Sequence, residues 1–135
     1  MKLQKNTRLA LYSVLEFAAD PGRHIAAAAI AERYDVSPHH LAKVLSELAR
    51  AGVLESVRGV GGGYRFAANA RRLTLMDVIQ LFEDIAGVDE RREPGDDTPV
   101  GKALGVVLDE VDEMARATFS TITLATMMGI VARQK

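Results

Sequence analysis

The sequence contains no cysteine and no tryptophan among its 135 residues. The absence of cysteine excludes disulfides, thiolate zinc sites and iron–sulfur clusters held by cysteine. Aromatic residues make up only 5% of the chain, which argues against the aromatic stacking surfaces of RNA-binding proteins. There is no run of about 18 apolar residues, so the sequence predicts no membrane-spanning helix.

The N-terminal stretch carries charges and has no small-residue cleavage site after an apolar core. We therefore expect a chain without a signal peptide that works in the cytoplasm. Its length fits one domain, or one domain with an extension, and 48% hydrophobic residues suffice for a globular core.

Charge is distributed unevenly, although the net charge is only −1. Residues 1–75 hold eleven lysine and arginine residues against six aspartate and glutamate residues, whereas residues 76–135 hold six against twelve. The first half is therefore basic by five charges and the second half acidic by six. A basic half is typical of a surface that faces a polyanion.

Residues 7–52 are expected to form three short helices. Apolar residues recur at helical spacing in TRLALYSVLEFAAD, which an Asp-Pro-Gly sequence ends, and the alanine-rich IAAAAIAERYDV follows. The third helix has the clearest ends. Ser37 is a good N-cap, Pro38 fits the first turn, and Gly52 lies where a C-terminal glycine belongs.

Glycine is concentrated in SVRGVGGGYRF, residues 56–66, between two predicted strands, VLESVR and YRFAA. Three helices followed by a hairpin predict a winged helix-turn-helix, a mainly α fold whose third helix enters the major groove of DNA. Glycine at the wing tip permits positive φ and lets the backbone approach a phosphate. A purely structural hairpin is the alternative, but a two-residue turn needs only one or two glycines.

The same glycines do not fit a nucleotide-binding loop. A dinucleotide fingerprint would need glycine at Tyr64 and a helix after it, and a phosphate loop would need Gly-Lys-Ser or Gly-Lys-Thr. The sequence also offers no nucleophile with a base and no set of metal ligands, so we expect no enzyme.

The second half is expected to contain a capped helix, a polar loop and a long helix. Thr74 caps LMDVIQLFEDIAG in a capping box with Asp77, and Gly87 ends that helix. We divide the chain into a DNA-binding domain (1–86), a loop (87–101) and a long helix with a short C-terminal helix (102–135). The long helix has one apolar stripe, formed by Leu104, Val107, Leu108, Val111, Met114, Ala115 and Thr118. This stripe would pack against a second copy or within its own subunit.

Three segments, VSPHHLAKVLSELARAGVLESVRGVGGGYRFA, LTLMDVIQLFE and TITLATM, resemble the Rrf2 family of bacterial transcription regulators. The resemblance covers most of the chain, and the R-G-x-x-G-G-Y of the wing is its most specific part. It implies a homodimer whose long helices pair across a two-fold axis and whose recognition helices read a palindrome in double-stranded DNA. We expect a repressor, with activation as the other mode of action.

The sequence departs from the family in the loop where many members hold an iron–sulfur cluster with three cysteines. The matching positions are Glu90, Gly95 and Gly101, and Arg8 stands where some relatives place a carboxylate. The resemblance therefore implies a member without a cluster, and we expect no cofactor. The carboxylates of the loop also lack the spacing of a calcium-binding loop.

The predicted DNA-binding surface joins the start of the third helix to the wing. Its members are Ser37, Pro38, His39, His40, Lys43, Arg58, Gly59, Gly61, Gly62, Gly63 and Tyr64. Lys43 and Arg58 would contact phosphates, and the histidines would face bases or phosphates, since adjacent helical residues cannot easily share a metal. Tyr64 is also expected to pack within the wing.

Two functions stay open on the sequence alone. The first is a DNA-binding regulator that responds to a small molecule, to a partner protein or to no effector, and the sequence does not name which. The second is a winged helix that binds a partner protein through its acidic half instead of DNA.

Overall fold

A computed structural model of the protein describes residues 3–58, 63–83 and 93–134. Within these ranges the chain forms six helices and two strands. They are α1 (Lys5–Ala18), α2 (Ala27–Arg33), α3 (Pro38–Arg50), β1 (Leu54–Val57), β2 (Gly63–Phe66), α4 (Leu75–Ile79), α5 (Pro99–Thr121) and α6 (Leu124–Arg133). None of the helices in these ranges is long and apolar enough to cross a membrane.

The hydrophobic core lies where α1, α3, α4 and the hairpin meet. Helix α1 buries Val14 and Phe17 completely, and α4 buries Val78 and Ile79. The predicted stripe of α3 is buried along its whole length: Leu41, Val44, Leu45 and Leu48. Because burying one such side chain stabilises a fold by roughly 1.5–3 kcal/mol, this stripe fixes which face of α3 remains outside.

Both predicted ends of α3 are confirmed. The Ser37 hydroxyl accepts a hydrogen bond from the backbone N–H of His40 at 3.4 Å, and Pro38 occupies the first turn. At the other end, Gly52 has φ +82°. The backbone N–H of Gly52 donates to the Ala49 carbonyl, and that of Val53 donates to the Leu48 carbonyl, both at 3.0 Å. This is a Schellman motif, which glycine adopts without steric cost.

The hairpin is antiparallel, with Leu54 opposite Phe66 and Val57 opposite Gly63. On its other side, β2 forms an isolated antiparallel bridge with one residue, Ile25, of the connection between α1 and α2. The N–H of Ile25 donates to the Tyr64 carbonyl at 2.9 Å, and the N–H of Tyr64 donates back to the Ile25 carbonyl at 3.1 Å. The wing is therefore attached to the segment that leads into α2.

The capping box of α4 is confirmed, because the Thr74 hydroxyl accepts from the Asp77 N–H at 3.1 Å and the Asp77 carboxylate accepts from the Thr74 N–H at 2.9 Å. The helix itself is shorter than expected and ends at Ile79. The predicted stop at Gly87 lies outside the described residues.

Helix α5 begins three residues earlier than the sequence pattern indicated. Thr98 caps it, because its hydroxyl accepts from the Gly101 N–H at 3.0 Å, and Pro99 fills the first position. Helix α6 begins after the N-cap Thr123. Its start is joined to the segment before α4, since the N–H of Leu124 donates to the Leu73 carbonyl at 2.9 Å.

A polar link joins α2 to α1. The Tyr34 hydroxyl donates to the Glu16 carboxylate at 2.5 Å, and the same carboxylate lies 3.2 Å from Nε of Arg33. The Tyr34 ring also stacks on the Tyr12 ring, with centroids 5.3 Å apart. Burial, and then the hydrogen bond to Glu16, raise the pKa of Tyr34 well above its usual value. The phenol therefore stays protonated and remains a donor.

Tyr34→Phe should lower the free energy of unfolding by about 1 kcal/mol, because it removes a hydrogen bond to a charged acceptor at a half-buried position. The difference from the parent should shrink above about pH 10, where the unfolded parent gains stability by ionising its tyrosine. Urea denaturation at pH 7 and pH 10.5 measures both effects. Equal stability of the two proteins at pH 7 would show that the link contributes nothing.

Candidate nucleic-acid interface

The outward face of α3 is open along the whole helix. His39, Ala42, Lys43, Ser46, Glu47 and Arg50 line a shallow groove of about 390 Å³ on this face. Their spacing of three and four residues places them on one side of the helix, opposite the buried leucines. A helix with one face fixed in the core and a polar face exposed has the arrangement with which helix-turn-helix proteins read the major groove.

The two predicted histidines occupy different environments. His39 is exposed on the open face, whereas His40 is half-buried. Nε2 of His40 is buried and has no hydrogen-bond partner among the described residues. His39 is therefore the better placed of the two to contact a base, and nothing in the described residues brings them together on a metal.

Positive charge on this face comes chiefly from Lys43. Its side chain is exposed and makes no ion pair within the described ranges. Arg50, by contrast, is paired with Glu47 at 2.9 Å, one helical turn away. Lys43 thus remains available to a phosphate, while the Arg50 charge is partly neutralised within the helix.

The two arginines of the hairpin differ in the same way: among the described residues, one is paired with a carboxylate and the other is not. Arg65 lies opposite Glu55 in the hairpin register, and their charged groups are 2.9 Å apart. Arg58 lies just beyond the end of β1 and is exposed. Gly59, Gly61 and Gly62, the predicted wing tip, lie outside the described residues.

Gly63 and Tyr64 attach the wing to the core. A Cβ at Gly63 would lie 2.8 Å from the Ile25 carbonyl carbon and 2.9 Å from Cα of Ala26, closer than real Cβ atoms come. Tyr64 is half-buried, with its ring edge against Phe17 at a centroid distance of 6.5 Å. Close backbone approach, rather than positive φ, is therefore the local reason for glycine at position 63.

The predicted stripe of α5 lies on a helix with no buried residue. Of its members, Leu104, Val107, Leu108, Val111 and Met114 are between 45% and 69% exposed. A contiguous exposed apolar face of this length is uncommon on a soluble monomer and is typical of protein–protein interfaces.

The α2–turn–α3 unit, the open face of α3 and the attached hairpin together define a winged helix-turn-helix DNA-binding protein. The turn is tight, because Asp35 adopts the left-handed conformation with φ +52°. Aspartate tolerates this conformation better than most residues.

Comparison with known proteins extends this class to a family. The Rrf2 family, described as "Iron-dependent Transcriptional regulator", matches residues 3–129. A Rhodopseudomonas palustris protein named as the HTH-type transcriptional regulator BadM is 47% identical over 135 residues, which is all of this chain and 86% of that protein. Protein aau3 of Rhizobium meliloti is 36% identical over 107 residues, covering 78% of this chain and 70% of that protein.

Two solved structures share the fold. IscR of T. potens superposes with a TM-score of 0.76 at 24% identity, covering 97% of this chain and 88% of that one. CymR of B. subtilis superposes with a TM-score of 0.75 at 23% identity, covering 96% and 98%. The chain belongs to the Rrf2 family, and it is a DNA-binding transcription regulator.

The residues present do not fit the cysteine-held iron–sulfur cluster of many family members. The whole sequence lacks cysteine, and within the described ranges no group of three or more His, Asp or Glu side chains could hold a metal. Gly101 lies so close to the 95–96 backbone that a Cβ there would be 2.8 Å from the Gly95 carbonyl carbon. A side-chain ligand at position 101 would therefore require this loop to change its conformation.

Some of these features could not be read from the sequence. The Ile25–Tyr64 bridge and the Glu55–Arg65 pair depend on strand register, which the sequence did not specify. Glu47 and Arg50 are three residues apart on a predicted helix, and this spacing is a recognisable signal of an ion pair.

Proposed function

We propose that this protein is a homodimeric repressor that binds a palindromic operator in the bacterial cytoplasm without an iron–sulfur cluster. The observation that supports it best is the division of α3 into a fully buried apolar face and an open face. On the open face, His39 would read bases and Lys43 would contact phosphate. Ser37, Pro38 and His40, at the start of α3, would lie close to the DNA backbone. Arg58 and the wing glycines would contact the DNA backbone next to them.

The exposed stripe of α5 supports the dimer. Pairing two copies through this stripe would bury its apolar side chains and place two α3 helices around a two-fold axis. A symmetric dimer of this kind reads two half-sites, one helical turn or a multiple of it apart. The operator is accordingly expected to be an inverted repeat.

The alternative, a winged helix that binds only a partner protein, has less support. The R. palustris relative, named as a transcriptional regulator, matches the whole of this chain. The open face of α3 also retains an exposed lysine and histidine, which a module without DNA affinity would not need.

Fluorescence anisotropy on duplexes from upstream of the protein's own gene, with a scrambled duplex as control, tests the proposal. Binding that prefers the native fragment and weakens with salt is the expected result. Equal, weak binding to both duplexes would place the operator elsewhere, and no binding at low salt would contradict DNA recognition.

In the same assay, Lys43→Gln should weaken binding to every duplex and flatten its salt dependence. Each lost phosphate contact reduces the slope of log K against log salt by about 0.9, so a dimer should lose about 1.8. Arg133→Gln, which removes an exposed cation at the end of α6, should leave the slope unchanged. An unchanged slope in the Lys43 variant would contradict its contact with phosphate.

A further inference from the structure

A second concave site lies away from the DNA-facing groove. It is a cleft of about 390 Å³ between the start of α1 and the turn that joins α2 to α3. Leu9 and Val36 contribute aliphatic walls, and the stacked rings of Tyr12 and Tyr34 contribute an aromatic one. Its volume is within the range of small-molecule sites, which are mostly apolar with a few polar groups.

The polar groups of this cleft are cationic. Lys5 and Arg8 line it, and no acidic residue from the described ranges does. Arg8 is held by the hydroxyl of Tyr12, which accepts from Nε at 3.4 Å and from Nη2 at 3.2 Å. Because this partner is neutral, the charge of Arg8 is not compensated by it. Over the described part of the chain, neither cation has a carboxylate within 4.0 Å.

The aromatic wall is held by a polar link. The Tyr34 hydroxyl donates to the Glu16 carboxylate, and this carboxylate also pairs with Arg33. Glu16 is thus committed to these two partners and does not line the cleft. The result is an apolar cavity with an excess of positive charge.

We propose that this cleft binds a small organic anion that has an apolar body and a carboxylate head. The body would lie against Leu9, Val36 and the tyrosine rings. The head would take the remaining N–H donors of Arg8, whose planar fork matches a carboxylate, and the charge of Lys5. A phosphorylated sugar or a free cation does not suit this lining, since the first lacks an apolar body and the second would be repelled.

The position of the cleft connects it to DNA binding, a step that rests on the proposed function. Tyr34 and Val36 flank Asp35, the left-handed residue of the turn, and Val36 immediately precedes the α3 N-cap, Ser37. A ligand against these two side chains contacts the turn that sets the position of α3. If the ligand and DNA each bind one arrangement of this turn more tightly, the ligand changes the affinity for DNA by a certain factor. DNA then changes the affinity for the ligand by the same factor.

Isothermal titration calorimetry of the full-length protein without DNA tests the site. The probes are octanoate and 3-phenylpropanoate, which distinguish an aliphatic from an aromatic body, with acetate and octanol as controls for the missing body and the missing charge. At least one of the two carboxylates should bind saturably and more tightly than both controls. If neither carboxylate binds, or if octanol binds as well as octanoate, the proposal is wrong.

Two variants locate the binding. Arg8→Gln should reduce carboxylate affinity about 10- to 100-fold, the range for a hydrogen bond to a charged group, whereas Arg72→Gln, at an exposed position outside the cleft, should not. Equal losses in both would place binding elsewhere, and thermal melts establish that both variants are folded. Because this titration contains no DNA, its failure is distinct from a failure to bind an operator. Operator affinity measured with and without the bound carboxylate should then differ, and identical affinities would overturn the regulatory step.

Discussion

Replacing Val107 with aspartate should convert the protein to a monomer and weaken operator binding by about 10²–10⁴-fold, the usual gain from linking two binding modules. Val107 belongs to the apolar stripe of α5 and is 54% exposed in the single chain. In the proposed dimer it would be buried, and an unpaired carboxylate buried against apolar side chains is strongly unfavourable. The folded monomer should survive, because α5 contributes no buried residue to its own subunit.

Val106→Asp is the matched control. Val106 is the neighbouring residue, 61% exposed, and lies on the opposite side of the helix from the stripe. Sedimentation velocity measures the oligomeric state, anisotropy the operator affinity, and thermal melting the fold. A dimeric Val107→Asp protein, or equal effects of the two variants, would show that the stripe does not form the interface.

Gly63→Ala should lower the free energy of unfolding by about 1–3 kcal/mol, a typical cost of overpacking, and should also weaken DNA binding. The added Cβ would meet the backbone of Ile25 and Ala26, which cannot rotate away as a side chain can. To relieve the contact, β2 must move from Ile25, which weakens the two hydrogen bonds between Ile25 and Tyr64. The wing would then be displaced relative to α3.

Gly22→Ala is the control for this substitution, because a Cβ at Gly22 meets nothing within 4 Å. Urea denaturation and operator anisotropy of both variants separate the local contact from a general effect of losing glycine. Wild-type stability and operator affinity in Gly63→Ala would mean that the connection accommodates a methyl group. Neither stability nor DNA binding would then require glycine at position 63.

Local signals predicted the helix-turn-helix well. The Ser37 cap, the Gly52 terminus and the Thr74–Asp77 capping box are set by residues within a few positions of one another, and all three are confirmed. The apolar stripe of α3 was likewise readable, because its period matches the helix. The class of protein followed from the order of these elements and the hairpin.

Long-range contacts were beyond sequence reasoning. The cleft beside Tyr12 and Tyr34 brings together residues 22 positions apart in the chain, and no local pattern predicts that their rings stack. The glycines of the wing looked alike in the sequence. Only the close approach of the Ile25 backbone in the structure shows why position 63 requires a residue without a Cβ atom. The end of α4 was also misjudged, since apolar periodicity continues past Ile79, where the helix stops. The start of α5 was placed three residues late, because its cap Thr98 and Pro99 precede the apolar pattern.

The most direct test of the central claim is selection of duplexes from a random library by the purified protein, followed by measurement of the mass of the complex. The account predicts an enriched inverted repeat with half-sites about one helical turn apart or a multiple of it, bound by two chains per duplex. An enriched sequence without two-fold symmetry, bound by a single chain, would contradict the dimeric reading of DNA, and no enrichment would contradict sequence-specific recognition itself.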